Sequence, residues 1–284
     1  LASVGQSILM KSLYLARHAR PDFKEAIQRL ARHFTCWEEI DDRRLCRVMG
    51  YLKGTLKKRL VGWIADAPTE IAPHLYADAD LAGCKDTQRS TTGVYCALEG
   101  PLSHVPLCFE SKRQGSIASS TPEAEMVAGH HACNKVMVPQ LDLWETILGV
   151  GFLTIFHEDN ETMIRAVHTG KNPTMKQLHR VHRVALGVMH ERLAKEGTKE
   201  NVKMVHTPSH LMCADIFTKG FDDITKWTAA CRLVNVIEIE DLPGLIEEKA
   251  KNFKELKEKY DAPSQEVDQM KEQNLKKASK GRST

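Results

Sequence analysis

Helical spacing of apolar residues marks the first 65 positions of the chain. Between positions 21 and 31 the apolar residues stand at 23, 26, 27, 30 and 31, which gathers them on one side of a helix. Pro21 suits the first turn of that helix. A second helix is predicted over positions 41–53, with Gly54 as a suitable terminator. Residues 1–65 are therefore predicted to form a helical segment.

Alternation of apolar and polar residues replaces this spacing after position 70. Positions 74–80, 92–98 and 105–111 are predicted strands. A helix is predicted to start near Ser119, because a hydroxyl-rich cap, Pro122 and two acids follow one another there. That helix is expected to reach residue 148, with a break at Pro139.

Strands and helices alternate in the rest of the chain. Strands are predicted at 152–156 and 202–206, and helices at 160–169, 175–195 and 214–219. This order predicts an α/β fold over residues 70–240, in which helices flank a mixed sheet. Residues 245–284 are dense in Lys and Glu, and they are predicted to be a charged tail, either a solvated helix or disordered.

Composition narrows the class of protein. The 284 residues are 42% hydrophobic and 27% charged, which excludes global disorder. A net charge of +3 argues against a uniformly cationic nucleic-acid wrapper, but it is compatible with a local basic face. No apolar run approaches the roughly 18 residues of a membrane span, so no membrane partner is expected. The eight cysteines form no CxxC pair, which indicates reduced thiols in an intracellular protein, cytoplasmic or nuclear and not secreted.

Four carboxylates lie at the ends of predicted elements: Asp78, Glu125, Asp159 and Asp215. Carboxylates at strand ends and helix starts can converge at one rim of a sheet, where their mutual repulsion implies bound cations such as Mg²⁺ or Mn²⁺. The simpler alternative is that Asp159 and Asp215 cap the helices that follow them, and that Glu125 complements a helix dipole. Spacing alone does not decide between these interpretations.

A series of short motifs resembles the ribonuclease H domain of copia-type retrotransposon polyproteins. In chain order they are YADADLAG at 76–83, RSTTG at 89–93, SKRQ at 111–114, SSTPEAE at 119–125, EDN at 158–160 and ADIFTK at 214–219. Upstream, LYLAR at 13–17, RPD at 20–22 and YLKGT at 51–55 resemble the end of the reverse transcriptase in the same polyproteins. Several motifs in one order are far more specific than any one of them. The resemblance covers about residues 8–222.

The resemblance implies a ribonuclease H-like fold, with a five-stranded mixed sheet, preceded by a remnant of the reverse transcriptase thumb or connection at 1–65. It implies metal-dependent hydrolysis of the RNA strand of RNA/DNA hybrids, with two Mg²⁺ or Mn²⁺ ions held by the four carboxylates above. Asp80 shares a strand face with Asp78, and Glu123 stands two residues from Glu125, so both remain alternatives. A catalytically silent remnant that binds duplex nucleic acid, or serves as an interaction module, is the alternative function.

Basic residues and one histidine complete the predicted site. The candidate contacts to the nucleic-acid backbone are Lys112, Arg113, Lys176, Arg180 and Arg183. The resemblance implies that a histidine in the loop before Asp215 helps the reaction, and His210 is the candidate, with His206 as its alternative. The expected partners are an RNA/DNA hybrid and the remainder of the Pol polyprotein. Three positions depart from the family pattern: Leu81, Pro122 and Met126.

Overall fold

The computed structural model describes residues 2–148, 153–172, 175, 178–194 and 202–261. The helices are α1 (Ala2–His18), α2 (Lys24–Ala31), α3 (Glu39–Gly54), α4 (Thr121–Ala132), α5 (Val138–Leu148), α6 (Glu161–Thr169), α7 (Leu178–His182), α8 (Leu186–Leu193), α9 (Ile224–Leu233) and α10 (Leu242–Asp261). The strands are β1 (Arg59–Leu60), β2 (Ala72–Asp80), β3 (Thr91–Glu99), β4 (His104–Arg113), β5 (Thr154–Glu158), β6 (Val202–His206) and β7 (Val236–Ile237).

The central sheet has five strands in the order β4-β3-β2-β5-β6. β2, β3 and β4 form an antiparallel meander, and β5 and β6 run parallel to β2 and to each other. This arrangement confirms the predicted ribonuclease H-like α/β fold with a mixed five-stranded sheet. β5 pairs with the first half of β2, in the register His74↔Ile155, so the following residue Asp159 comes out beside the second half of β2.

Both faces of the sheet are covered, because alternate residues of β2 and β3 are apolar on each side. Leu75, Ala77 and Val94 pack under α4 and α6 with Met126 and Phe156. On the opposite face, the sheet residues Tyr76, Tyr95 and Phe109 are buried under the 3₁₀ helix Cys213–Phe217 and α9. Phe217 and Cys231 are the buried side chains that these two helices contribute. Asp215 belongs to this 3₁₀ helix, so the packing of the helix places Asp215 next to the sheet.

The N-terminal helices form a core of their own around Leu9, Phe23 and Ile27. Two of the upstream motifs meet there. Arg20 of RPD pairs with Asp22 at 2.7 Å and donates to the carbonyl of Thr55 at 3.0 Å. Tyr51 of YLKGT donates its hydroxyl proton to Asp22. These motifs therefore fasten the start of α2 to the end of α3, which is a structural role.

The predicted single helix over 175–195 is wrong. α7 ends at His182 and α8 begins at Leu186, and Arg183 between them has a φ of +60°. His182 is held by Glu123 at 3.0 Å, and Val184 is buried. The chain breaks its helix there because a continuous helix would turn one of these two side chains away from the core.

The predicted break at Pro139 is wrong, because the chain stays helical through the proline and is distorted only just before it. A wide π turn at Cys133–Met137 separates α4 from α5 just before the proline, whose nitrogen has no proton to donate. All eight cysteines, each inside the described ranges, are free thiols.

A charged tail, solvated or disordered, was predicted from residue 245 onwards, but the first turns of the C-terminal helix α10 pack against the rest of the protein. α10 begins at Leu242, Leu245 is buried, and the Lys249 side chain is only 10% exposed. Lys249 forms an ion pair with the buried Glu99, and the ring of Phe253 lies 6.1 Å from that of His74. The first turns of α10 therefore cover the end of the sheet. The predicted tail beyond residue 261 lies outside the described residues.

Candidate metal-binding site

Asp78 stands near the end of the central strand β2, with its side chain on the face covered by Cys213–Phe217. Glu125 approaches from the second turn of α4, and Asp159 follows the last residue of β5. One oxygen from each of these three carboxylates lies within 4.8 Å of the others. Both Asp78 and Glu125 are buried. The three residues can hold a metal ion, because carboxylate oxygens are the ligands that hard divalent cations prefer.

Asp215 joins this group from the 3₁₀ helix Cys213–Phe217. Its carboxylate accepts a 2.8 Å salt bridge from Lys219. Thr218, the residue before Lys219, donates its hydroxyl proton to Asp78 and a second hydrogen bond of 3.0 Å to the carbonyl of Asp215. The segment that presents Asp215 is thus fastened to the strand that presents Asp78.

The protein compensates only part of the electrostatic repulsion in the cluster. Burial raises the pKa of Asp78 to about 7, and the charges of Asp215 and Asp159 add to the increase, against the opposing effects of Lys219 and Thr218. Burial likewise raises the pKa of Glu125, with further contributions from Glu158, Asp78 and Asp159. One oxygen of Glu125, Oε2, is buried and has no hydrogen-bond partner within the described ranges. A bound cation would relieve both the repulsion and the missing partner.

Gly93 explains part of the RSTTG motif. It pairs directly with Asp78 across β2 and β3. A Cβ at this position would lie 2.6 Å from the carbonyl oxygen of Ala214 and 2.6 Å from Cγ2 of Thr218. Glycine is therefore required for the segment that carries Asp215 to approach the strand beside Asp78.

The two alternatives that the sequence left open have other contacts. Asp80 lies 3.9 Å from Arg29 of α2. Glu123 accepts a hydrogen bond of 2.8 Å from the backbone of Ser119, and its other oxygen is 3.0 Å from His182. Glu123 thus anchors the start of α4 and the end of α7, while Glu125 is the acid of that pair that reaches Asp78.

Comparison with known proteins identifies relatives of the chain. No protein-family model matches it. It is 26% identical over 233 residues, 81% of its length, to the retrovirus-related Pol polyprotein from transposon RE2 of Arabidopsis thaliana. It is also 26% identical over 213 residues, 74% of its length, to the corresponding polyprotein from transposon RE1 of the same plant. The chain is a homologue of retrotransposon Pol polyproteins.

The match covers a small part of these polyproteins. The chain spans 15% of the length of the RE2 polyprotein and 13% of the RE1 polyprotein. An uncharacterized mitochondrial protein of A. thaliana, AtMg00240, is 33% identical over 100 residues, which are 35% of this chain and 81% of that protein.

One solved structure, a foamy viral protease-reverse transcriptase in complex with RNA/DNA hybrid, is also similar. It has a TM-score of 0.42 and 12% identity, and the match covers 73% of this chain and 25% of that one. A likeness this distant has no bearing on function.

The basic residues predicted from the sequence fall into two groups. Lys112 and Arg113 end β4, where Lys112 is exposed and Arg113 half-buried. Arg180 lies on α7 and Arg183 in the break after it, both exposed. Lys176 lies outside the described residues.

His210 lies in the loop that leads from β6 to Asp215. Its side chain is 67% exposed, and its Nε2 is 3.8 Å from Glu255 of α10. The neighbouring residue Ser209 donates a 2.8 Å hydrogen bond to Asp159. The loop therefore touches the carboxylate cluster through Ser209, whereas the contact of His210 is with the C-terminal helix.

Three further residues shape the site without having been assigned a role from the sequence. Thr218 and Lys219 are the last two residues of the ADIFTK motif, and a cation four residues after Asp215 was a readable signal for Lys219. Glu158, the last residue of β5, is completely buried next to Asp159, and burial raises its pKa well above the usual value. Its position as the first residue of the EDN motif was the sequence signal for it.

No helix among the described residues is both long and apolar enough to span a membrane.

Proposed function

We propose that this chain hydrolyses the RNA strand of RNA/DNA hybrids with the help of divalent metal ions, as the ribonuclease H part of a copia-type retrotransposon polyprotein. The observation that supports the proposal best is the convergence of Asp78, Glu125 and Asp159. One oxygen of each lies within 4.8 Å of the others, although the residues come from β2, from α4 and from the position after β5. In this assignment residues 1–65 are the end of the reverse transcriptase thumb or connection, and residues 70–240 are the nuclease domain.

The carboxylates fit a cation by their chemistry. All the donors are hard oxygens, which favours Mg²⁺ or Mn²⁺ over the softer metals that prefer sulfur or imidazole. The unpartnered oxygen of Glu125 and the raised pKa of Asp78 are the features expected of carboxylates whose charge a bound cation would offset. Helix caps would instead point their carboxylates at backbone N–H groups.

Asp78, Glu125, Asp159 and Asp215 are the proposed ligands of the divalent ions. Ions held by these residues would supply an activated water and stabilise the charge on the leaving oxygen. Lys219 limits the negative charge at Asp215, and Thr218 fixes the orientation of Asp78 through its hydroxyl. Ser209 orients Asp159 in the same way.

Substrate is proposed to be held by its backbone, since duplexes containing RNA are recognised mostly by shape, phosphates and 2′-hydroxyls. Lys112 and Arg113 are suitably placed for this. Ser111, Gly93 and Asp78 stand in register on neighbouring strands, so the end of β4 lies two strand spacings, about 10 Å, from Asp78. Arg180, Arg183 and Lys176 are proposed as a second backbone contact, and His210 as the loop histidine that assists proton transfer or product release.

A cleavage assay tests the proposal. The purified chain is incubated with a labelled RNA/DNA hybrid and Mg²⁺, Mn²⁺ or EDTA, with double-stranded RNA as the control substrate. Cleavage of the RNA strand that requires metal and spares double-stranded RNA is expected. Absence of cleavage by a folded sample would refute the nuclease proposal and favour a silent remnant that binds duplex nucleic acid.

Site variants extend the test to individual residues. Asp78→Asn and Asp159→Asn are each expected to abolish cleavage while the protein remains folded. The matched control is Asp80→Asn, which changes a carboxylate on the same strand and the same face but outside the cluster. Cleavage that survives both cluster substitutions, or that is lost equally in the control, would show that the site is assigned wrongly.

A further inference from the structure

A groove of about 330 Å³ lies where the N-terminal helical segment meets the edge of the sheet. It is lined by Gln28, Ala31, Arg32, Ser111, Lys112 and Arg113. The first three residues belong to α2 and its C-terminal cap, and the last three to the end of β4. The groove is thus shared by the two parts of the chain that the sequence separates into a reverse transcriptase remnant and a nuclease domain.

Side chains of α2 fix the geometry of this junction. Lys24 donates a 2.8 Å hydrogen bond to the carbonyl of Phe109, and Gln28 donates one of 3.2 Å to the carbonyl of Ser111. Both bonds end on backbone acceptors of the edge strand β4. Because Lys24, Gln28 and Arg32 are spaced four residues apart, they lie on one side of the helix. The same side that fastens α2 to the strand therefore directs Arg32 to the groove.

The groove is lined by three cationic residues that form no ion pair with the described part of the chain. Among the described residues, no carboxylate lies within 4.0 Å of the charged groups of Arg32, Lys112 or Arg113. The nearby Arg29 provides a contrast, since it pairs with Glu25 and faces Asp80. Burial lowers the pKa of Arg32 and the charge of Arg113 adds to that decrease, against the opposing charges of Cys84 and Glu25.

The pKa of Cys84 reflects the positive charges of Arg32 and Arg113. Burial raises the pKa of this thiol, but hydrogen bonds from Thr87 and Arg113 and the charge of Arg32 lower it to about 7. Uncompensated cations that approach one another in a groove are a costly arrangement unless an anion completes it. Arg32 and Arg113, whose charges act on each other and on Cys84, bring two guanidinium groups to one groove, and such a pair suits a phosphate that accepts hydrogen bonds from both.

The groove lies at the same end of the sheet as the carboxylate cluster. Arg113 pairs with Thr91, which pairs in turn with Asp80, so the three residues mark one line across β4, β3 and β2. Asp78 is two residues further along β2. The end of β4 at Arg113 therefore lies about 12 Å from Asp78, two strand spacings across the sheet and two residues along β2, which is within the length of a few nucleotides of one backbone.

We propose that Arg32, Lys112 and Arg113 together bind a phosphate of the nucleic-acid backbone. The N-terminal helical segment is then a working part of the substrate-binding surface, beyond any role as a cap on the sheet. The identity of the duplex as an RNA/DNA hybrid rests on the proposed function, whereas the phosphate contact itself does not require cleavage.

Binding measured without cleavage tests the inference. The anisotropy of a fluorescent RNA/DNA hybrid is followed in EDTA at several salt concentrations, for the full chain and for Arg32→Ala, Lys112→Ala and Arg113→Ala. Each substitution is expected to weaken binding about three- to ten-fold and to reduce the slope of log Kd against log salt by about one. The matched control is Arg43→Ala, which removes an exposed arginine on α3.

Arg32 decides the outcome, because it is the contribution of the N-terminal segment. Arg32→Lys is expected to keep most of the affinity and the full salt slope, which separates loss of charge from loss of folding. A duplex DNA probe should lose affinity in parallel, since phosphates are common to both duplexes. Unchanged affinity and salt slope in folded Arg32→Ala protein, or failure of the unmodified chain to bind the hybrid, would overturn the inference. A chain that binds with the expected salt dependence but does not cleave would refute only the nuclease function.

Discussion

Gly93 is the position at which a single methyl group should do most damage to the site. The added Cβ of Gly93→Ala would lie 2.6 Å from the carbonyl oxygen of Ala214, 2.6 Å from Cγ2 of Thr218 and 3.2 Å from Cβ of Phe217. The first two distances are about 0.8 Å shorter than an ordinary contact of 3.4 Å. One of the atoms is backbone, so a change of side-chain rotamer cannot relieve the clash.

Two consequences follow with different magnitudes. Forcing a methyl group into a packed interior typically costs about 1–3 kcal/mol, so the free energy of unfolding should fall by that amount. Because Thr218 and Asp215 lie on the displaced segment, both should also shift relative to Asp78 by a substantial fraction of 1 Å. Misplacement of that size in a catalytic group can cost roughly 100-fold in rate.

Urea unfolding and single-turnover cleavage of the hybrid measure the two effects separately. Gly115→Ala is the matched control, since a Cβ at Gly115 has nothing within 4 Å. Unchanged stability of Gly93→Ala would refute the packing argument. Lost stability with an unchanged cleavage rate in the folded fraction would show that the segment bearing Asp215 is not held in place by its contact with β3.

The remaining predictions concern metal, protons and a buried ion pair. Mn²⁺ or Mg²⁺ at about 100 times its Kd should stabilise the chain by about 2.7 kcal/mol in thermal unfolding. Asp78→Asn should abolish that effect and be at least as stable without metal, so an equal metal effect in the variant would contradict the site. Burial lowers the pKa of His104 and of His157 to about 3. These two rings should remain neutral at pH 5 by NMR, and their share of the stability, complete above about pH 6.5, should decrease as the pH falls below it; titration near 6.5 would disprove their burial. Lys249→Met should cost about 3–5 kcal/mol in urea unfolding, because it leaves Glu99 buried without its cation, and adding Glu99→Gln should recover most of the loss.

The sequence predicts those elements best whose residues alone specify their secondary structure. The strands at 72–80, 91–99 and 104–113 were predicted within a few residues, because alternation and turn residues specify them. The break between α7 and α8 was missed, since it depends on the contact of His182 with Glu123, about 60 positions away in the chain. No pattern within 175–195 contains that information.

The C-terminal helix illustrates a second limit. A segment rich in Lys and Glu has the composition of a solvated face, and nothing local distinguishes Lys249 from its neighbours. Lys249 is buried only because Glu99, at the far end of β3, offers a partner for its charge. Pairing at a distance thus overrides composition at this helix.

The choice between Asp78 and Asp80 shows why the two parts of the chain have to be considered together. The strand period puts both carboxylates on one face, so β2 alone cannot distinguish them. In the folded chain Arg29 of α2 faces Asp80, while Asp78 is left with Glu125 and Asp159 and accepts the hydroxyl of Thr218. One helix of the N-terminal segment thus supplies a positive charge to the outer aspartate through Arg29 and to the groove beyond it through Arg32. We therefore expect removal of that segment to alter the charge of the site as well as the cover of β4, which is why the full chain is the correct object for every assay proposed above.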